Sequence, residues 1–369
     1  MSVTAATGFE AAGVEAGLKA SGGLDLALVV NRGPLQSAAA VFTSNRAKAN
    51  PIIWSQQVIA DGSVAAIVLN SGGANCFTGA QGFQVTHATA EAVAEKLGVG
   101  AGDVLVCSTG LIGDQLPLDK VLDGVARAAE SLGDHGEDAS RAIMTTDSRP
   151  KRSVRTGAGY TVGGMAKGAG MLAPGLATML VVITTDANLP SPALDTALRA
   201  ATRVSFDRLD SDGCMSTNDQ VSLLASGASG VVPSLDEFTA VLTAVCSDLA
   251  EQLQADAEGA SHDIRIEVVG AASEDDAVEV GRIADAWGVK GWFKVLSHSS
   301  NPEALSASKR WYLQPSERGA KAFTGTVLLT IRQAKDHSDT LVAWAQGIDD
   351  RNAAEALRGA RIFVPRSSF

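Results

Sequence analysis

The residues with the most chemical promise lie in Gly163-Gly-Met-Ala-Lys-Gly-Ala-Gly-Met-Leu-Ala-Pro-Gly-Leu-Ala-Thr-Met-Leu-Val-Val-Ile-Thr-Thr-Asp186. Glycines surround one lysine, Lys167, in what reads as a flexible loop. Pro174 then leads to Ala177-Thr178 and into an apolar strand. A threonine hydroxyl alone is a poor nucleophile. Breaking the Ala177–Thr178 bond would give Thr178 a free α-amine, with a pKa near ~8, beside that hydroxyl. Such an amine serves as the hydroxyl's own general base. The same residues also fit a plain reading, in which Thr178 is a β-former at the mouth of a strand. Phosphate-binding templates do not fit. GxxxxGK[ST] is absent, and no GxGxxG leads into a helix.

Other groupings are weaker. Asp207, Asp210, Asp212 and Asp219 crowd one acidic loop but lack the spacing and the closing glutamate of a calcium loop. The five histidines show no metal-ligand spacing. The four cysteines, Cys76, Cys107, Cys214 and Cys246, form no CxxC pair. They read as a reduced, cytoplasmic protein without structural zinc or disulfides. No metal ligand set is expected. The net charge of −11 argues against direct nucleic-acid binding by the chain as a whole. No apolar run approaches the roughly 20 residues of a membrane helix, and the N-terminus lacks the pattern of a signal peptide.

Composition changes along the 369 residues. Residues 1–278 hold 17 Lys and Arg against 32 Asp and Glu, whereas 279–369 hold 13 against 9. Four of the five tryptophans also lie in the last 91 residues. Two domains, 1–278 and 279–369, explain the seam. The first segment alternates β-branched runs with helical patterns. Val64–Leu69 and Val104–Val106 read as buried strands. Ser191 reads as an N-cap with Pro192 at N1. Ser234-x-x-Glu237 is a capping box opening a helix that runs to about Glu258. The pattern is α/β or α+β, with sheets covered by helices. In the tail, Thr326–Arg332 and Arg361–Val364 read as strands, Asn352–Arg358 as a short helix, and the whole as a small β domain.

The stretch Gly-Met-Ala-Lys-Gly-Ala-Gly-Met-Leu-Ala-Pro-x-Leu-Ala-Thr-Met-Leu closely resembles the self-cleavage motif of the ornithine acetyltransferase family, the bifunctional glutamate N-acetyltransferases of arginine biosynthesis. Asn70-Ser-Gly-Gly-Ala-Asn-Cys-Phe-Thr-Gly79, Cys107-Ser-Thr-Gly-Leu-Ile-Gly113, Met144-Thr-Thr-Asp147, Asp212-Gly-Cys-Met-Ser-Thr-Asn-Asp219 and Gln254-Ala-Asp-Ala-Glu-Gly259 match further blocks in order, over about residues 8–280. The resemblance implies an N-terminal-nucleophile acetyltransferase-like fold. It implies self-cleavage between Ala177 and Thr178, Thr178 as nucleophile, and Thr109 and Gly110 as oxyanion hole. Thr145, Lys167, Thr178 and Glu258 would contact substrate. The implied reaction is ping-pong transfer of acetyl from N-acetylornithine to glutamate without metal or organic cofactor. Acetyl-CoA enters as a substrate only in the bifunctional branch. The implied assembly is a heterotetramer of two cleaved α and β chains.

This resemblance ends near Arg282, without the family's Asp-Pro-Asn-Trp-Gly-Arg and terminal Asn-Ser-Ala-Tyr-type motifs. Val280-Gly-Arg-Ile-Ala-Asp-Ala-Trp-Gly-Val-Lys-Gly-Trp-Phe-Lys-Val295 and Asp349-Asp-Arg-Asn-Ala-Ala-Glu-Ala-Leu-Arg-Gly-Ala-Arg-Ile-Phe-Val-Pro-Arg366 instead closely resemble the N-terminal barrel of the 16S rRNA processing (ribosome maturation) factor family. That implies a small β-barrel over about residues 278–369 that engages a small-subunit ribosomal protein. Two expectations follow. The chain is a glutamate N-acetyltransferase, or it is a catalytically inactive fusion whose barrel binds the ribosomal protein.

Overall fold

Alternation of side chains along short apolar strands sets the architecture of the first 260 residues. In this computed structural model the strands are β1 (Phe9–Val14), β2 (Leu26–Asn31), β3 (Ser37–Phe42), β4 (Ala66–Gly73), β5 (Val104–Leu111), β6 (Lys151–Thr156), β7 (Thr161–Lys167), β8 (Leu180–Thr185) and β9 (Gln220–Ala225). The structure describes residues 2–172, 179–211, 214–260, 281–287, 292–296, 305, 308–314, 326–337, 340–350, 353–354, 356–357 and 360–363. One sheet has the order β1-β2-β4-β5, and the other β3-β9-β8-β7-β6. The pairs β4–β5 and β8–β9 are parallel.

Strand β8 shows how the layers form. Successive side chains of a strand point to opposite faces. Leu180 and Val182 pack into the core shared with Leu28, Ile67 and Leu105 of the first sheet. Val181 and Ile183 face the opposite way, against Leu194, Phe238 and Leu242. The two sheets therefore pack face to face, with helices outside. These are α1 (Asn50–Val58), α2 (Gly79–Leu97), α3 (Leu118–Glu130), α4 (Gly136–Ala142), α5 (Ser191–Arg203) and α6 (Leu235–Gln254). Each large apolar side chain so buried contributes about 1.5–3 kcal/mol. Among the described residues no helix is long and apolar enough to cross a membrane.

Helix ends agree with the sequence reading in part. Ser234 caps α6, accepting from the Glu237 N–H at 3.3 Å. The Glu237 carboxylate accepts from the Ala158 N–H at 3.4 Å. The helix stops at Gln254, four residues before Glu258. Pro190, not Ser191, is the N-cap of α5. Ser191 is instead drawn to the neighbouring sheet, where its hydroxyl donates to the Ala38 carbonyl at 2.7 Å. Lys167 also departs from expectation, because it ends strand β7 rather than sitting in a glycine loop. Glycine suits this strand for packing reasons. A Cβ on Gly163 would lie 2.3 Å from the Ser2 carbonyl oxygen, so only glycine lets that backbone approach.

The chain divides into two units, Met1–Asp263 and Ile264–Phe369. In the second, β10 (Gly281–Trp287), β11 (Trp292–Leu296), β12 (Arg310–Gln314), β13 (Val327–His337), β14 (Thr340–Ala345) and β15 (Arg361–Phe363) close into a barrel. The order is β10-β11-β14-β13-β12-β15. Phe293, Val295, Trp311, Leu313, Ile331 and Ile362 are among the residues filling it. The Phe293 and Trp311 rings meet edge to face at 6.2 Å. Of the expected helix 352–358, residues 353 and 354 are helical, and much of the rest lies outside the described residues.

Candidate active site

The parallel pair β4–β5 carries the Asn-Ser-Gly-Gly and Cys-Ser-Thr-Gly segments side by side, with Ser71 opposite Thr109 and Gly72 opposite Gly110. Gly110 has φ +124°, and a Cβ there would lie 2.6 Å from the Gly72 carbonyl carbon. Both the left-handed backbone and the close approach require glycine. Thr109 is buried, and Gly110 is exposed. The loop is braced by amides. The Ser108 hydroxyl donates to Asn70 Oδ1 at 2.6 Å, and Asn218 donates to the carbonyls of Ala74 and Ser108 at 2.7 and 2.8 Å. Asn218 lies just before β9, so this contact joins the two sheets beside Thr109.

Strand β7 brings Lys167 to the same place. Its ammonium Nζ donates to Thr109 Oγ1 at 3.1 Å, and the side chain is 3% exposed. Burial pulls the Lys167 pKa down, while Asp147, Asp219 and Glu258 oppose that fall. Because the Thr109 oxygen accepts from lysine, its own hydrogen is available to another acceptor.

Asp147 organises the ground beneath Lys167. One oxygen accepts from Lys151 Nζ at 2.6 Å and from the Gly168 N–H at 2.7 Å, and the other from the Thr145 N–H at 3.0 Å. Lys151 is fully buried and also donates to Asp256 at 2.6 Å. Ser148 donates to Asp256 as well. Burial alone raises the Asp147 pKa, but Lys167, Lys151 and the Gly168 N–H outweigh it and hold the carboxyl below its usual range. Thr145 itself is exposed. Glu258 is exposed in the turn after α6, and its N–H donates to the Ala169 carbonyl at 2.7 Å. Its carboxylate lies over Gly170, about 3.1 Å from where a Cβ would stand.

The geometry thus joins Thr109 and Lys167 directly, and it ties Thr145 to the base of Lys167 through Asp147. Glu258 sits near the same backbone. Ala177 and Thr178 lie outside the described residues. The next residue, Met179, is described. Its N–H donates to Asp219 Oδ1 at 3.0 Å, and its carbonyl accepts from the Gln220 N–H at 3.1 Å. Sequence reasoning assigned no role to Lys151, Asp147, Asn218 or Asp219. The last was seen only within an acidic loop. The available signal was its position immediately before a buried strand, where a carboxylate rarely stands without a partner. Cys107, also nearby, has its thiol pKa pushed up by burial, which keeps it a protonated core residue.

A buried lysine on a threonine hydroxyl, beside an exposed glycine amide, is an arrangement suited to acyl transfer. A sequence model of the ArgJ family matches residues 10–291, and one of the RimM N-terminal domain matches residues 278–369. The chain belongs to the ArgJ family. It is 68% identical over 283 residues to the arginine biosynthesis bifunctional protein ArgJ of Streptomyces coelicolor, covering 76% of this chain and 74% of that one. Identity to the Streptomyces avermitilis protein of the same name is 67% over the same shares. The solved structure of ornithine acetyltransferase complexed with ornithine from Mycobacterium tuberculosis is 54% identical. It covers 48% of this chain and 96% of that chain, with a TM-score of 0.45. Membership of the ArgJ family makes the protein an acetyltransferase enzyme, and the same chain carries a RimM-type barrel.

Proposed function

We propose that the protein transfers acetyl from N-acetylornithine to glutamate through an N-terminal threonine, Thr178, freed by self-cleavage after Ala177. The observation that carries this reading is the buried Lys167–Thr109 contact at 3.1 Å, beside Gly110 and the fixed Met179 amide. Thr178 Oγ attacks the acetyl carbonyl while its proton passes to the α-amine. Thr109 Oγ–H and the Gly110 N–H receive the developing oxyanion. A preorganised donor of this kind is worth about 10²–10³ in rate. Collapse returns the proton to the departing ornithine amine and leaves acetyl-threonine, which the glutamate amine then attacks. Lys167, whose ammonium donates to Thr109 among the described residues, is assigned to the carboxylate of the acetylated amino acid. Glu258 is assigned to the ornithine amine, and Thr145 to a further substrate contact. No metal or organic cofactor takes part, and acetyl-CoA is a second acetyl donor. The working form is a cytoplasmic heterotetramer of two cleaved α and β chains.

Intact mass under denaturing conditions tests the cleavage. Two fragments meeting at Ala177/Thr178 are expected, together with ornithine release from N-acetylornithine in the presence of glutamate. Thr178→Ala should stay one chain and lose transfer entirely. A single uncut wild-type chain would overturn this reading. The closed barrel and its RimM match favour a second one, an inactive fusion that binds a small-subunit ribosomal protein through residues 279–369. Under it, Thr178→Ala leaves that binding unchanged.

A further inference from the structure

Beside Thr109 the two stacked sheets meet through the side-chain amide of Asn218, which is 6% exposed. Its Nδ2 donates to the Ala74 carbonyl at 2.7 Å and to the Ser108 carbonyl at 2.8 Å, and its Oδ1 accepts from the Thr217 hydroxyl at 2.6 Å. A side-chain amide has two N–H donors, so both are committed here. The two carbonyls bracket the segment that the reaction above uses. Ser108 precedes Thr109, and its carbonyl lies in one planar peptide unit with the Thr109 N–H. Ala74 reaches the other end, because its own N–H donates to the Leu111 carbonyl at 2.8 Å. Asn218 therefore holds Thr109 and Gly110 from before and from after, once directly and once through Ala74. Gly110 needs such a hold, since at φ +124° it has no side chain to fix its backbone.

The base of this bridge is fixed as well. The Asn218 N–H donates to the Ser216 hydroxyl at 3.1 Å. Thr43, just after β3, donates from its hydroxyl to the Ser216 carbonyl at 2.8 Å and from its N–H to the Asp219 carbonyl at 3.0 Å. The next two residues hold Met179, at the mouth of β8. Asp219 Oδ1 accepts from the Met179 N–H at 3.0 Å, and the Gln220 N–H donates to the Met179 carbonyl at 3.1 Å. Residues 218–220 thus hold the Thr109–Gly110 segment on one side and Met179 on the other.

We propose that Asn218 is a positioning residue for acyl transfer: its two N–H bonds set the separation between the Thr109–Gly110 donors and the strand that Met179 opens. This rests on the reading that Thr109 and Gly110 receive the oxyanion. In this role Asn218 acts through those two donors and exchanges no proton. A misplacement of about 1 Å at such a site costs about 10²-fold in rate.

The test is a double-mutant cycle in the full chain, read as acetyl transfer from N-acetylornithine to glutamate. Asn218→Ala should lower kcat about 10²-fold, with KM within about threefold of wild type. Made on a Thr109→Ala background, the same substitution should lower kcat less than about tenfold, because part of what it positions is already gone. A brace that serves only the fold would give the same factor in both backgrounds, and that result overturns the proposal. So does an unchanged kcat, or a loss confined to KM. Should Asn218→Ala fail to fold, Thr217→Val decides. Valine keeps the shape of threonine and removes the hydroxyl that orients the amide. Its kcat should fall about fivefold, and that fall should also shrink on the Thr109→Ala background. An undiminished fall, or none, overturns the proposal. Wild-type protein without acetyl transfer sinks the functional reading and this inference with it, whereas active wild type with uncoupled variants sinks this inference alone.

Discussion

In the first unit Lys151, Lys167, Asp147 and Asp219 are buried together, whereas the described core of the barrel is Phe293, Val295, Trp311, Leu313, Ile331 and Ile362, with Ser308 as its buried polar residue. A core that needs only stability has no use for buried charge, because desolvation offsets most of what pairing returns. Two more buried acids of the first unit, Asp25 and Asp186, accept from backbone N–H groups of Ala16 and Leu18 and of Thr7 and Thr161, whereas these four gather around one place. Three of them touch backbone or side chains of the predicted site: Lys167 on Thr109, Asp147 on Thr145 and Gly168, and Asp219 on Met179. The fourth, Lys151, holds Asp147 and Asp256 in place. Among the described residues, clustered buried charge belongs to the first unit, and the barrel core is apolar apart from Ser308.

The comparison breaks most visibly at Lys167. Lys167→Met removes the donor on Thr109 and the cation nearest Asp219. The expected loss in kcat/KM for acetyl transfer is about 10²–10³-fold. Activity within threefold of wild type would mean that the buried charge serves the fold alone.

Lys151→Met asks the stability question instead. It strands two carboxylates, and unpairing a buried charge costs about 3–5 kcal/mol, readable by chemical denaturation at pH 7. The sign with pH follows from the two acids. Burial works against Asp147 and Asp256, yet Lys151 and neighbouring donors hold both carboxyls below their ordinary range. The stability they give is therefore present above about pH 4 and lost as pH falls through their folded pKa values. The gap between wild type and variant should narrow on acidification. A gap that widens below pH 4 contradicts the pairing.

In the barrel the equivalent blow is apolar. Trp311→Ala empties a fully buried indole that meets Phe293 at 6.2 Å, and it should cost about 3 kcal/mol. The Trp311 Nε1–H has no partner among the described residues, so Trp311→Phe should cost far less than the alanine change. Self-cleavage should persist in both variants. Its loss would show that the two units are not independent in folding.

Much of this molecule was legible beforehand, for local reasons. Val64–Leu69 and Val104–Val106 announced β4 and β5 because apolar β-branched runs have few other homes. The barrel's strands at Thr326–Arg332 and Arg361–Val364 were equally local. The motif blocks named Thr109, Gly110, Thr145, Lys167 and Glu258 without showing what joins them. What escaped was long-range. Lys167 read as a loop residue because glycines around it suggest flexibility, and nothing local reveals that Ser2 packs against Gly163. Asp147, Asp219 and Asn218 matter through contacts with Gly168, Met179 and Ser108, partners 21, 40 and 110 residues away. Pairing at such separations is set by the topology of two stacked sheets, which residue spacing does not encode. Ser191 is the same lesson in miniature, drawn off its cap by the carbonyl of Ala38.

The smallest effect comes from the one cap that local sequence did predict. Ser234 accepts from the Glu237 N–H at the start of α6, the helix whose Phe238, Leu242, Val245 and Leu249 cover the second sheet. Ser234→Ala removes that acceptor and leaves the apolar face untouched. The cost should be about 1 kcal/mol, seen as a shift in denaturation midpoint without a change in slope. The α6 helix also supplies the turn that carries Glu258, so fraying at its far N-terminus should leave KM for N-acetylornithine unchanged. A rise in KM on this substitution would mean that α6 transmits strain along its full length to the site. The separation drawn above, between local stability and the buried charged cluster, would then be too clean.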